Sequence, residues 1–353
     1  MGAKISRRFA TLLILIALAT LFSFAAMLSI WLFKPINIGR GKSIRVHLGA
    51  TVEDVINEMA SIKMHRPVWL LKICIHALGI NRRLKAGWYD LKERSSRFGV
   101  LMALREGNPR LAYVLIPPGL MAHEIAARLE GLGLVDAKRF VNLVENPQNE
   151  LRRPWLPEGK PLEGFLFPET YCFPPLHPGK DEAYAIEVML KEFERQFIKP
   201  HESELEALGN SLYEVVTIAS MVELEAKVDE ERPIIAGVLL NRLRLKMPLQ
   251  CDATIFYALK QRKRRITYSD LRINSPYNTY KHKGLPPTPI CNPGLKSLRA
   301  ALKPANVDFL YYVARGDGRH NFSRTYQEHL EAVKQWRRIQ RQILERESTT
   351  GSE

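Results

Sequence analysis

The longest apolar run of the chain lies near its start. Residues 9–33 carry no charged side chain, whereas Lys4, Arg7 and Arg8 precede them. A helix of this length can cross a bilayer core, and the run is longer than the apolar region of a cleaved signal peptide. Because basic residues stay on the cytoplasmic side, we expect residues 1–8 in the cytoplasm, an uncleaved transmembrane helix over residues 9–33, and export of the rest.

A linker at residues 34–42 precedes a shorter pattern with a period of two residues. The sequence SIRVHLG, which begins at residue 43, predicts a strand with Ile44, Val46 and Leu48 on one face. Thr51 and Asp54 have the spacing of a capping box, so a helix should begin after Thr51.

Three further elements complete this segment. The sequence predicts a second helix over residues 67–78, a strand in KAGWYDL, and a helix that ends near Gly107. The order strand, helix, helix, strand predicts a compact α/β module over residues 43–108. Trp88 and Tyr89 either stack on sugar faces or fill the small core, and the pattern leaves both interpretations open.

In residues 109–346, segments with the helical period of 3.6 residues alternate with segments that have the strand period of two residues. This mixture predicts a larger α+β domain. A strand is expected at 111–117, a helix at 122–132 with Ile125, Ala126 and Leu129 inward, and an amphipathic helix at 181–197. Residues 146–178 are rich in Pro, Gly and aromatic residues, which form either a groove wall or an irregular packing layer. The aromatic residues of its central phrase are Phe165, Phe167, Tyr171 and Phe173.

The sequence LYEVVTIASMVELEAK at 212–227 is apolar almost all round, which predicts a buried helix. Glu223 shares a stripe with Val216 and Ala219, so we expect its carboxyl group to lose water, and its pKa to be raised, as a general acid requires. The alternative is a structural ion pair, for which the sequence offers Arg232, Arg242 and Arg244. Glu225 lies roughly 200° away around the helix and is a weaker candidate.

More elements follow the central helix. Pro233 marks the start of a helix that runs to about Lys246, and Asp252 is the expected N-cap of a short helix at 253–259. Residues 273–294 form a stiff irregular stretch with five prolines, which is typical of a functional loop. A helix at 295–302, a hairpin at 309–323, a basic helix at 325–346 and a disordered tail at 347–353 complete the prediction.

Composition and charge limit the classes of partner that the chain is expected to bind. The chain has 353 residues, 46% of them hydrophobic and 25% charged, with a net charge of +15. This charge suits an anionic polymer or a membrane surface, and the basic run at 260–265 is either a solvated loop or a contact for such a polymer. Export excludes nucleic acid as the expected partner.

Several common chemistries are missing from the sequence. The chain has no glycine-rich phosphate loop, no G-x-S-x-G elbow and no HExxH pairing, and a lone histidine such as His320 is interpreted as structural. The spacing of the cysteines fits no metal site and leaves disulfide pairing open, so we expect no metal and no cofactor. These cysteines are Cys74, Cys172, Cys251 and Cys291.

Together, several phrases resemble the endolytic murein transglycosylase family, the YceG-like proteins. They are EGFLFPETY at 163–171, IASMVELEA around Glu223, RPIIAGVLLNRLRLKMPLQCDATIFYAL at 232–259, SPYNTY at 275–280, GLPPTPICNPG at 284–294 and HNF at 320–322. The resemblance implies a membrane anchor, a LysM-like module and a catalytic domain. The chain departs from the family pattern at Pro118, Leu224, Cys251 and Ala253.

The resemblance also implies a reaction. The family cleaves peptidoglycan strands internally between N-acetylmuramic acid and N-acetylglucosamine, leaves 1,6-anhydromuramic ends, and uses the glutamate that matches Glu223. The positions that match the family's substrate cleft are Gln250, Asp252, Ser275, Tyr277 and Asn278. A periplasmic enzyme on the inner membrane that ends nascent strands beside the peptidoglycan synthases is the expected function. A non-catalytic wall-binding scaffold for synthases is the alternative.

Overall fold

The structure, a computed structural model, describes residues 2–207, 212–261 and 266–350. The chain divides into two compact units. The first comprises residues 1–113 and 172–177, and the second comprises residues 114–171 and 178–353. The observed mixture of helices and short strands confirms the predicted α+β class. The likeness of the small module to LysM stays a prediction.

The first unit contains the strand–helix–helix–strand order expected from the sequence. The β2 and β3 strands pair antiparallel, with Ile44 opposite Tyr89, and β1 pairs antiparallel with β4. The elements are α1 (Gly2–Phe33), β1 (Ile36–Asn37), β2 (Ser43–Val46), α2 (Val52–Ser61), α3 (Val68–Ala77), β3 (Gly87–Asp90), β4 (Arg94–Ser95) and α4 (Arg97–Glu106). Two further strands, β5 (Ala112–Leu115) and β6 (Thr170–Phe173), lie at the boundaries of the units.

The core of the first unit confirms most of its predicted pattern. Ile44 and Val46 are buried, and Thr51 and Asp54 form the capping box, with the Thr51 N–H donating to Asp54 Oδ2 at 2.8 Å. The placement of Leu48 on the buried face is wrong, because β2 ends at Val46 and Leu48 is 38% exposed. Tyr89 is buried, which favours the core interpretation of that ring.

The α1 helix is, within the described residues, the one helix long and apolar enough to cross a membrane, through residues Phe9–Phe33. Its end is tied to the first unit. Trp31 Nε1 donates to the Arg66 carbonyl at 3.1 Å, and Arg97 Nη1 donates to the Trp31 carbonyl at 3.1 Å. The Phe33 and Phe98 rings lie 4.8 Å apart. The apolar run is therefore consistent with a single-pass anchor that continues into packed structure.

The second unit is built around helices. They are α5 (Ala122–Glu130), α6 (Ala137–Glu145), α7 (Glu182–Phe193), α8 (Glu202–Ala207), α9 (Leu212–Glu225), α10 (Arg232–Arg244), α11 (Asp252–Leu259), α12 (Leu295–Leu302) and α13 (Tyr326–Thr350), with the strands β7 (Tyr311–Ala314) and β8 (His320–Ser323). The α6 helix was not predicted, although Asp136 caps it by accepting from the Arg139 N–H at 2.8 Å.

The α9 helix is the buried centre of this unit, as its apolar pattern predicts. It packs against α10, α11 and α12, and nine of its residues are buried, from Tyr213 through Val222 with the exception of Glu214. The Ser220 hydroxyl donates to the Thr217 carbonyl at 2.7 Å and accepts from the Ile290 N–H at 3.0 Å. The helix thereby fixes the irregular stretch at 273–294, which contains no regular element, as predicted.

The aromatic segment at 146–178 is a packing layer. The four aromatic side chains of its central phrase are all buried, and the Phe165 and Phe193 rings meet edge to face at 5.2 Å. Large rings of this kind contribute much of the buried apolar area in a core. The alternative of an exposed groove wall is therefore wrong for these rings.

The C-terminal part follows the prediction closely. The β7 and β8 strands form the expected antiparallel hairpin, with Ala314 opposite His320. The α13 helix extends to Thr350, so it includes the first residues of the segment predicted as a tail, and residues 351–353 lie outside the described residues. Most of the basic run at 260–265 also lies outside, because residues 262–265 are not described.

Candidate functional site

Glu223 lies in the last turn of α9 and takes part in an ion pair. Arg232, the first residue of α10, donates from Nη1 to Glu223 Oε1 at 3.2 Å, and the Gly294 N–H donates to Oε2 at 2.9 Å. The two side chains are 12% and 10% exposed. Of the three arginines offered by the sequence, Arg232 is therefore the partner of Glu223.

Charge-assisted hydrogen bonds surround the Glu223 carboxyl group. The Arg232 guanidinium and the Gly294 N–H donate to its two oxygens, and the role of Glu223 as a general acid stays a prediction. Arg232 is itself held by Asp229 at 3.0 Å and by the Ser297 hydroxyl.

Two glycines border Glu223. A Cβ atom on Gly294 would lie 3.1 Å from Pro118 and 3.5 Å from Glu223 Oε2. Gly119 has φ +84°, where glycine is favoured, and a Cβ atom there would lie 3.7 Å from Glu223 Cγ. The Gly119 N–H donates to the Asn292 carbonyl at 2.8 Å. The missing side chains leave the backbone close to the carboxyl group, as in sites where a ligand approaches the chain.

Glu225, the last residue of α9, lines a polar cavity of about 430 Å³ that we call the Glu225 cavity. The Cys251 thiol donates to Glu225 Oε1 at 3.0 Å. Burial raises the pKa of the Glu225 carboxyl, and the negative charge of Asp252 acts in the same direction, while the Cys251 hydrogen bond opposes them. Gln250 and Asp252, both predicted as substrate contacts, line this cavity with Glu225, and its lining does not include Glu223.

The prediction that Asp252 caps α11 is wrong. The N-cap is Cys251, whose backbone is extended, with φ −94° and ψ 118°. Thr279 fixes this conformation, because its carbonyl accepts from the Gln250 N–H at 3.1 Å and its hydroxyl accepts from the Cys251 N–H at 3.0 Å. Asp252 is consequently the first helical residue, and its carboxylate accepts from the Tyr280 hydroxyl instead.

Ser275 and Tyr277 line a second cavity of about 380 Å³, which we call the Glu163 cavity. The Tyr277 and Thr288 hydroxyl groups lie 2.9 Å apart. Burial raises the pKa of Glu163 to about 7, against the opposing hydrogen bonds from the Ala122 N–H and from Asn292. The sequence analysis quoted the phrase that begins at Glu163 but did not single out this residue as a site, because the Pro-, Gly- and aromatic-rich segment around it carries no signal of its burial.

Asn278 lies inside the irregular stretch and lines neither cavity. It is fully buried, and its Nδ2 atom donates to the carbonyls of Leu271 and Ile273 at 2.9 Å each. Its Oδ1 atom accepts from the Tyr280 N–H at 3.1 Å. These bonds use the Asn278 amide to hold the loop, and its predicted contact with substrate stays a prediction.

His320 also lines the Glu225 cavity, which the sequence analysis missed. Its Nδ1 atom lies 2.7 Å from Glu231 Oε2, and its backbone N–H donates to Glu231 Oε1 at 3.0 Å. These two contacts with Glu231 fix the orientation of the imidazole ring. The interpretation of His320 as a structural residue therefore accounts for its Nδ1 atom. Among the described residues, no cluster of three or more His, Cys, Asp or Glu side chains could hold a metal ion.

Comparisons with known proteins agree on one family. The YceG-like family model matches residues 44–335. The endolytic murein transglycosylase of Bacillus subtilis strain 168 is 34% identical over 268 residues, which cover 71% of this chain and 73% of that protein. A protein of the same name from Streptococcus pneumoniae D39 is 33% identical over 263 residues, which cover 65% of this chain and only 46% of that protein.

A solved structure extends the likeness to the fold. The crystal structure of a putative YceG-like protein from Listeria monocytogenes superposes with a TM-score of 0.56 at 29% identity, covering 82% of this chain and 98% of that chain. The match therefore includes nearly the whole of the solved protein. On the family match and the identity to the Bacillus protein, the chain belongs to the YceG-like family.

Proposed function

We propose that the chain is an endolytic murein transglycosylase. It cleaves the β-1,4 bond between N-acetylmuramic acid and N-acetylglucosamine inside peptidoglycan strands and leaves 1,6-anhydromuramic ends. The name of the Bacillus and pneumococcal relatives supports the substrate class. The observation that carries the proposal is the position of Glu223, a 10% exposed carboxyl group bordered by Gly119 and Gly294.

Glu223 acts as both acid and base in this proposal. Protonated Glu223 donates its proton to the glycosidic oxygen as the bond to C1 breaks, and the 2-acetamido group of muramic acid stabilises the positive charge at C1. The Glu223 carboxylate then takes the proton of the C6 hydroxyl while that oxygen attacks C1. No water enters the product, so a single carboxyl group is enough, in contrast to the pair used by ordinary glycosidases.

Arg232 supports the second half of this cycle. Once Glu223 has lost its proton, the Arg232 guanidinium at 3.2 Å and the Gly294 N–H at 2.9 Å stabilise the charge until the C6 proton is accepted. Gln250 and Asp252 in the Glu225 cavity, and Ser275 and Tyr277 in the Glu163 cavity, offer polar and aromatic groups for sugars and amides.

The anchor places this reaction at a membrane. With the N-terminus in the cytoplasm, the module at 43–108 and the catalytic domain lie in the periplasm beside the inner membrane, where new strands emerge. The proposed role is to end nascent strands, next to the synthases that make them. The net charge of +15 suits both the stem-peptide carboxylates and an anionic membrane face.

The test is analysis of the products by mass spectrometry. Full-length protein in detergent is incubated with uncrosslinked nascent glycan, alongside Glu223→Gln and the matched control Glu214→Gln, which makes the same change at an exposed position of α9. We expect anhydro-ended fragments from the wild type and the control, and formation about 10²–10⁴-fold slower in Glu223→Gln. Anhydro ends formed by Glu223→Gln at the wild-type rate would exclude Glu223 as the acid.

A scaffold is the second candidate function. The observation that favours it is the ion pair, because both Glu223 oxygens already have partners in the structure. A scaffold would retain glycan without changing it. Strand binding with no product from the wild type would therefore move the assignment to a non-catalytic wall-binding protein.

A further inference from the structure

The α3 helix of the first unit leaves a group of apolar side chains uncovered, which we call the α3 stripe. Val68 is 41% exposed, Trp69 57% and Ile73 55%, and at 100° per residue they fall within an arc of about 140°. The other side of α3 buries Leu71 and Ile75. A helix at the surface of a soluble domain normally turns polar residues outward, so α3 has a second apolar side besides the one that faces its own core.

The polar residues of α3 are compatible with this apolar side. Lys72 pairs with Glu53 of α2, so its ammonium group is directed to protein. His76 lies two turns beyond Trp69, at the end of the helix that is distant from Arg66. Amphipathic side chains of these types are usual at the edge of an apolar face in the headgroup layer.

The α3 stripe stands out from the rest of its module. Within residues 34–108, all of which the structure describes, Leu48 is the one other large apolar side chain that is exposed, at 38%. Single apolar side chains are normal on a protein surface, whereas a group on one side of a helix indicates a surface that is covered by something else.

The start of α3 lies against the end of the proposed anchor. Trp31 Nε1 donates to the Arg66 carbonyl at 3.1 Å, and Arg66 precedes α3 by two residues. Arg97 Nη1 donates to the Trp31 carbonyl at 3.1 Å, and its guanidinium lies 4.8 Å from the centroid of the Trp31 ring. Trp31 also packs against the core of the first unit. Direct contacts therefore hold the end of the anchor and the start of α3 together.

The length of the span sets the depth of Trp31 in a membrane. The 25 residues of Phe9–Phe33 make a helix about 37 Å long at 1.5 Å per residue, whereas the hydrocarbon core is about 30 Å thick. The last turn of the span therefore extends into the interfacial layer, where tryptophan is favoured. The hydrogen bond from Trp31 to the Arg66 carbonyl brings the first turn of α3, with Trp69, to the same layer.

We propose that the α3 stripe lies in the lipid interface of the membrane that holds the anchor, with Trp69 and Ile73 against lipid. The bilayer is the occupant that the anchor itself supplies, because an inserted span holds α3 at the lipid surface without a further partner. Residues 34–108 carry 14 basic and 6 acidic side chains, and this net charge of +8 suits anionic headgroups. The inference rests on the anchor in the proposed function and is independent of the reaction at Glu223.

Fluorescence quenching in vesicles tests this contact. Full-length protein is reconstituted in vesicles of phosphatidylglycerol and phosphatidylcholine, with brominated or unbrominated acyl chains, and acrylamide serves as the quencher in water. The chain has five tryptophans, so the signal of Trp69 is obtained as the difference between the wild type and Trp69→Phe. We expect brominated lipid to quench this signal and acrylamide to leave it unquenched.

Two results with inserted protein would overturn the inference. Quenching of Trp69 by acrylamide and not by lipid would place the stripe in water. Protection from both quenchers would show that protein covers it, and a dependence on the protein-to-lipid ratio would identify that protein as a second copy of this chain. Extraction of the wild type from the vesicles by alkaline carbonate would instead remove the anchor on which the inference rests. The product assay in detergent reports on the reaction separately.

A matched pair of charged variants locates the contact on α3. Ile73→Asp places a carboxylate in the α3 stripe, and Leu48→Asp makes the same change at the exposed apolar residue outside it. Each variant is compared with a form that also carries Trp69→Phe. We expect Ile73→Asp to lower the quenching of Trp69 by brominated lipid, because a charge against lipid is costly, and Leu48→Asp to leave it unchanged. Equal losses in the two variants would contradict a contact through the α3 stripe.

Discussion

Glu223 and Glu225 are two residues apart in one helix, yet their surroundings differ completely. Glu223 meets a guanidinium at 3.2 Å and a backbone N–H at 2.9 Å. Glu225 meets a thiol at 3.0 Å and the charge of Asp252, and burial raises its pKa. The first environment offers a cation and a backbone donor to the carboxyl oxygens, whereas burial in the second disfavours a charge. Two identical side chains thus meet different chemical surroundings at the end of the same helix.

The difference arises from the direction in which each side chain leaves the helix. Residues two apart on a helix point roughly 200° away from each other. Glu223 consequently faces α10 and the N-cap of α12, whereas Glu225 faces the start of α11 and the hairpin. A buried helix can present different chemistry on opposite sides only because each side packs against a different element.

The largest expected effect is a difference between the Glu223 and Glu225 variants in the rate at which anhydro ends form. Glu223→Gln should lower the rate of formation of anhydro ends by about 10²–10⁴-fold, because it removes the general acid. Glu225→Gln should lower it much less, since Glu225 transfers no proton in the proposed mechanism. The rates are measured by mass spectrometry on the same glycan preparation, and a larger loss in Glu225→Gln would reverse the two assignments.

The ion pair should account for much of the stability near Glu223. Arg232→Met leaves a carboxylate that is 10% exposed without its cation, which should lower the free energy of unfolding by about 3 kcal/mol. In a Glu223→Gln background the same change should cost less, because no charge remains to be paired. Urea unfolding of the wild type, the two single variants and the double variant measures this coupling. Equal costs of Arg232→Met in both backgrounds would show that the ion pair contributes no net stability.

Glu163 extends the comparison to a third carboxyl group. Its pKa rises from 4.5 to about 7 on folding, so the folded state holds the proton more tightly. Stability from this group is full below pH 4.5 and is lost as pH rises to about 7, by about 3 kcal/mol. Thermal unfolding of Glu163→Gln should lack this decline, and a decline equal to that of the wild type would assign the pH dependence to another group.

The smallest expected effect comes from the thiol beside Glu225. A hydroxyl group donates a stronger hydrogen bond than a thiol, so Cys251→Ser should stabilise the Glu225 carboxylate. The pH at which the Glu225 carboxyl ionises should therefore move down by a fraction of a unit. Nuclear magnetic resonance titration of protein with labelled glutamate measures it, and a shift to higher pH would contradict the account of this cavity.

The sequence pattern predicted elements well where one local signal decides them. The α12 helix begins and ends at the predicted residues, and the capping box of Thr51 and Asp54 formed as expected. The pattern also predicted that α9 is buried, since its apolar residues lie almost all round the helix. These features depend on residues that are close together in the chain.

The candidate site was harder to predict because it depends on long-range contacts. The phrase that contains Gln250 and Asp252 gives no sign that they join Glu225 and not Glu223. The sequence predicted Asn278 as a substrate contact, but its buried side chain makes three hydrogen bonds to backbone atoms that are near it in the chain. Glu163 was missed because its burial depends on Asn292, which lies 129 residues later in the chain.

The most direct test of the central claim follows the oxygen atom that closes the cleaved end. Full-length protein is incubated with uncrosslinked glycan in water enriched in ¹⁸O, and the released muramic ends are analysed by mass spectrometry. The account predicts anhydro ends without ¹⁸O, since the C6 oxygen of the sugar attacks C1 after Glu223 has donated its proton. Reducing ends that carry ¹⁸O would show hydrolysis and would contradict the one-carboxyl mechanism.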